Sequence, residues 1–133
     1  MDKLLEEAWF RIHKALTEFS MRVALVDPAL SPSLGRSENS AFPLRVYLAF
    51  KRASGDGELS IAVDVHAAGE HLKIDSDVCF ESGEVVAVGP ASDILLNANQ
   101  SASGGAMEDW LNAFEKFLGD VEATVIEAAS RLS

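Results

Sequence analysis

The sequence predicts an α+β domain: an N-terminal helix, an antiparallel meander of four strands with a further short element after it, and a long C-terminal helix, both helices lying on one face of the sheet. Three observations lead there. Apolar residues recur every three or four positions over the first 23 residues and again from about residue 106 to 132. Between these segments, from Leu44 to Val88, apolar and polar residues alternate in short runs. Glycine-bearing turn clusters separate those runs, as in a meander.

The first helix is set by Leu4, Leu5, Ala8, Trp9, Ile12, Leu16, Phe19 and Val23, with Lys3, Glu6, Glu7, Arg11, Lys14 and Glu18 on the opposite side and Asp2 as its expected cap. Its periodicity stops at Asp27-Pro28. Residues 27–43, rich in serine and proline, read as a flexible loop.

The first strand is Leu44–Arg52 and the second Glu58–His66, joined by the turn residues 53–57. Pairing Phe50 with Leu59 places Leu48 against Ile61 and Val46 against Val63, so the buried faces coincide. The same register sets Arg45 opposite Asp64 and Lys51 opposite Glu58 on the outer face, so charge and hydrophobicity select one pairing.

A four-residue connection, Ala67 to Glu70, leads to the third strand, His71 to Phe80, and would set His66 opposite His71 and Asp64 opposite Lys73. Arg45, Asp64 and Lys73 would then form a row of alternating charge. At Ser82-Gly83 a glycine bulge pairs Phe80 with Glu84 and brings Val86 against Val78, which keeps Val86 and Val88 in the core. Gly89-Pro90 ends that fourth strand. Residues 93–96 fit either a strand or a helical turn, and residues 97–105 read as a second flexible loop. The last helix follows, with Gly119 marking a bend or a close approach to the sheet.

Composition narrows the function classes. The 133 residues suit a single domain, and a hydrophobic fraction of 48 % supplies a core without disulfides or metal. One cysteine, no basic stub ahead of an apolar run and no bilayer-length apolar stretch point to a cytoplasmic protein. The net charge of −10 is unevenly spread: residues 1–52 carry 8 basic and 6 acidic side chains, residues 53–133 carry 3 and 15. Such a surface repels phosphate backbones and anionic lipid, which argues against nucleic-acid and membrane partners.

No glycine-rich phosphate cradle, nucleophile elbow or cofactor motif is present, so no cofactor is expected and a non-enzymatic role is favoured. Asp64, His66, Glu70 and His71 form the candidate metal site, since histidines facing across two strands lie about 5 Å apart and could share a zinc with a carboxylate. Cys79 lies beside Asp77, which disfavours the thiolate a nucleophile requires. The candidate binding surface is the outer sheet face, where Tyr47, Ala49, Ala62 and Cys79 are small or amphipathic in places where a solvated sheet tends to carry threonine, lysine and glutamate.

These features favour a non-catalytic protein-binding module: a small acidic adaptor, chaperone, antitoxin or immunity-type protein with a protein partner or a second copy of itself across that face. The alternatives are a small-ligand or metal protein using the histidine hairpin, and an enzyme whose site is assembled from scattered residues.

Overall fold

The computed structural model describes residues 2–53, 55–96 and 100–132. The element order is α1 (Asp2–Val26), β1 (Leu30–Ser37), β2 (Leu44–Arg52), β3 (Glu58–Ala68), β4 (His71–Phe80), β5 (Val85–Val88), β6 (Ser92–Leu95) and α2 (Gln100–Ser130). One six-stranded antiparallel sheet runs in the order β1-β2-β3-β4-β5, with β6 also paired to β4. Both helices cover the same face. They pack beside each other, α1 over β1 and β2, α2 over β5 and β6.

The β2–β3 register is the expected one, Phe50 against Leu59, Val46 against Val63 and Arg45 against Asp64. Arg45 Nε donates to Asp64 Oδ1 at 2.9 Å. Inward-facing Leu44, Val46, Leu48, Phe50, Leu59, Ile61, Val63, Val65, Leu72, Ile74 and Val78 are buried against Ile12, Leu16 and Phe19 of α1 and Trp110, Phe114 and Leu118 of α2. Each fully buried aliphatic or aromatic side chain of this kind contributes about 1.5–3 kcal/mol.

Several expectations are corrected. Residues 27–43 are not a loop throughout: Leu30–Ser37 is an edge strand on β2, with Leu30 opposite Arg52 and Leu34 opposite Leu48. An edge strand has one partner, so Pro32, which has no N–H, is tolerated where that position faces away from the ladder. Residues 38–43 then fold back on themselves, Asn39 Oδ1 accepting from the amides of Ala41 (3.0 Å) and Phe42 (2.8 Å). Phe42 lies between Arg45, whose guanidinium carbon is 4.4 Å from the ring centroid, and the stacked His66 ring at 5.0 Å.

The β3–β4 connection is a two-residue turn, not a four-residue loop. Gly69 takes φ of +62°, the left-handed geometry that a II′ hairpin requires at its first central position. Ala67 and Ala68 therefore belong to β3, and His66 pairs with Lys73, Asp64 with Asp75 and His71 with Ala68. The row Arg45, Asp64, Lys73 does not form.

Gly83 adopts φ of +97°, and Phe80 N donates to Glu84 O at 2.9 Å, as the glycine bulge requires. A second irregularity follows between Val78 and Cys79, leaving Ala87 opposite Val78 and Val88 opposite Asp77. Val86 is half-buried. Val88, expected in the core, is 76 % exposed on the other face.

At the end of β5 the chain crosses from one half of the β4 edge to the other. Gly89 N donates to Ser76 O (2.9 Å), and the Pro90 carbonyl accepts from Ser76 Oγ (2.8 Å) and from Trp110 Nε1 (3.0 Å). Residues 92–95 then form a strand, resolving that ambiguity.

The last helix begins six residues before the expected position, at Gln100, so of the second expected loop residues 100–105 are helical; residues 97–99 lie outside those described, as does the side chain of Asp2. At 31 residues α2 is about 46 Å long. Its C-terminal turns leave no bare apolar overhang: Val125 and Leu132 are buried and Ile126 is half-buried. Arg52 holds this end, donating to Asp27 Oδ2 after α1 (2.6 Å) and to Ala129 O of α2 (3.0 Å).

Candidate functional site: the outer face of the sheet

Because the helices share one face, the alternate residues of every strand point to an open face. The strand registers arrange that face in rows. One runs Ser33, Ala49, Ser60, Cys79, Val85, and the next Gly35, Tyr47, Ala62, Asp77, Val88. The four sequence-designated residues Tyr47, Ala49, Ala62 and Cys79 thus fall in two adjacent rows on three neighbouring strands. Val85 and Val88, which lie beside them, were not identified from sequence. The second bulge hides Val88, since strict alternation through Val86 would have sent it inward; Val85 faces outward in the expected register as well.

The surface is low and apolar at its centre. Tyr47 is 45 % exposed, Val85 55 % and Val88 76 %. Ala49 is only 3 % exposed on this face. Its methyl rises little above the sheet between the longer side chains of Tyr47 and Lys51. Charge borders this centre and enters it: Arg45, Asp64 and Asp75 form the next row, and Asp77 stands between Ala62 and Val88.

Electrostatics separates the two sides of the molecule. Every arginine is engaged within the chain: Arg11 with Glu108 and Glu115, Arg22 with Glu122, Arg36 with Glu38, Arg45 with Asp64, Arg52 with Asp27 and Arg131 with Glu127. Two arginines of the first helix, which is balanced overall at four basic and four acidic side chains, are thereby stitched to the acidic last helix. Arg11 is the centre of that seam, donating to Glu108 at 2.8 Å, Glu115 at 2.5 Å and Asn112 at 3.1 Å, and these hydrogen bonds, Glu115 foremost, raise its pKa. Among the described residues no salt bridge reaches Asp75, Asp77 or Glu81.

Cys79 is half-buried, and burial first, then Asp77, raises its thiol pKa. A thiol so placed is a poor nucleophile at neutral pH.

The metal candidates do not converge as expected. His66 stands opposite Lys73 and stacks on Phe42, whereas His71 Nδ1 lies 2.6 Å from Asp93 Oδ1 of β6. The two-residue turn shifts the register by two positions and so removes the cross-strand histidine pair. Among the described residues no group of three or more His, Cys, Asp or Glu side chains is arranged to hold a metal ion. An open cavity of about 580 Å³ lies at the opposite end of the strands, between the β2–β3 and β4–β5 turns and the end of α2, with Phe80 and Leu132 beside Asp56, Glu58, Glu81 and Glu84.

A second apolar exposure occurs on the solvent side of α1, at Phe10 (67 %), Met21 (63 %) and Leu25 (83 %). Lys14 and Thr17 interrupt it along the helix. Among the described residues no helix is long and apolar enough to cross a membrane. No protein-family model, curated protein or solved structure matches the chain.

Proposed function

We propose that the protein is a non-catalytic protein-binding module that presents the outer face of its sheet to a protein partner. One observation carries this reading: a sheet covered by helices on one face leaves the other bare, with Tyr47, Ala62, Cys79, Val85 and Val88 forming its centre. Exposed apolar side chains grouped on one face with a few charged ones beside them mark protein-interaction surfaces. The role fits an adaptor, chaperone, antitoxin or immunity-type protein, all of which act by covering a surface on another chain.

The test is a pull-down from native extract with the full chain, compared with a Val85→Ser/Val88→Ser variant. The substitutions lie on exposed positions and leave the core intact. The reading expects a stoichiometric partner retained by the parent chain and lost by the variant. A partner held equally by both would move the interaction to another surface.

A further inference from the structure

We infer that the partner's contact with this face is a cationic segment carrying apolar side chains, and that it docks along β4 and β5. The inference rests on the reading of the outer face as a protein-binding surface and specifies what that surface takes.

Along β4, Asp75 and Asp77 share the outer face, where alternation places them about 7 Å apart. Neither is in a salt bridge among the described residues, and every arginine of the chain is engaged by another carboxylate. Val88 stands directly opposite Asp77 and Val85 opposite Cys79, so the exposed valines run alongside the acidic line. Lys73, one alternation before Asp75, is the one cation on this face of β4. An occupant with lysine or arginine beside small aliphatic side chains would neutralise the carboxylates while covering the valines. A second copy of this chain is the wrong occupant on the same grounds. Each copy carries a net charge of −10, and its arginines are already engaged. Edge pairing through β1 is disfavoured as well, because Pro32 interrupts the donors that edge could offer.

The experiment uses the full chain, labelled for amide and methyl chemical-shift mapping, titrated with three seven-residue peptides: one of lysine and valine, one with each lysine replaced by glutamate, and one with each replaced by serine. The inference expects the lysine peptide to shift signals of residues 75–79 and 85–88 and to bind at least about tenfold more tightly than the serine peptide, with the glutamate peptide silent. Asp75→Asn/Asp77→Asn, confirmed folded by its unchanged core methyl spectrum, should weaken the lysine peptide by about tenfold. Equal binding of all three peptides, or shifts confined to α1 or to the 56–58 and 81–84 turns, would overturn the inference. So would sedimentation as a dimer whose protected surface is this face, although protein binding by the face would then stand. Only the absence of any occupant on the face would remove both readings.

Discussion

Tyr47 on β2 covers Gly35 on β1: a Cβ at Gly35 would sit 2.1 Å from Tyr47 Cζ and 2.3 Å from its hydroxyl oxygen. Glycine is needed here for space, and the ring it admits lies over β1 on the outer face. Gly35→Ala should lift the ring from the sheet. Because the clash is with the far end of a half-exposed side chain, the stability cost is under about 1 kcal/mol. The chain has a single tyrosine, so the ring signals in a proton spectrum report the move without ambiguity. Unchanged ring shifts would refute the covering.

Gly89 makes the opposite kind of contact. A Cβ there would lie 2.3 Å from Ser76 Oγ and 3.0 Å from the Phe117 ring, inside the clamp that steers the chain from β5 to β6. Gly89→Ala should destabilise by about 1–3 kcal/mol. Trp110→Phe removes one of two donors to the Pro90 carbonyl and should cost about 0.5–1.5 kcal/mol. Chemical denaturation of the two variants checks both the size and the order.

Gly119 is exposed in the middle of α2, and a Cβ there meets nothing within 4 Å. It is neither a close approach to the sheet nor a required left-handed residue. Gly119→Ala should therefore stabilise by about 0.5–1 kcal/mol, raising Tm by about 2–4 °C. A lowered Tm in a thermal melt would mean that the glycine serves something other than the helix.

The Asp27–Arg52 pair ties the end of α1 to β2 and, through Ala129, to α2. The hydrogen bond from Arg52, chiefly, lowers the Asp27 pKa from its ordinary value. A carboxyl whose pKa is lower folded than unfolded stabilises the fold above its unfolded pKa, about 4, and loses that contribution as pH falls through the folded value. Asp27→Asn should thus be less stable than the parent at pH 7, with the difference shrinking below about pH 4. Thermal melts across that range decide it. A constant difference would show that ionisation is not what the pair contributes.

The parts of the fold visible in the sequence are those where two independent signals agree. For β2 and β3, apolar alternation and the Arg45–Asp64 and Lys51–Glu58 charges select the same register. The parts missed are those where one local residue overrides the pattern. Serine, Pro32 and Gly35 disguise β1, because an edge strand needs only Leu30 and Leu34 inward. Gly69 shortens the β3–β4 turn and separates His66 from His71, and Gly104-Gly105 conceals the first turns of α2. On the outer face, Tyr47, Ala49, Ala62 and Cys79 were legible as misfits in a solvated sheet. Val88 was not, because a bulge that no spacing rule requires turns it outward.

Cys79 offers the most direct test of the outer face, since it is the chain's single cysteine and lies at the centre of that surface between Ser60 and Val85. Its alkylation by a small maleimide should be measured on the free chain and on the complex recovered from native extract. A partner seated on the face shields the thiol, and with partner at about ten times its Kd the rate should fall by about tenfold. An unchanged rate in a complex shown to be intact would contradict the assignment of this face as the binding surface.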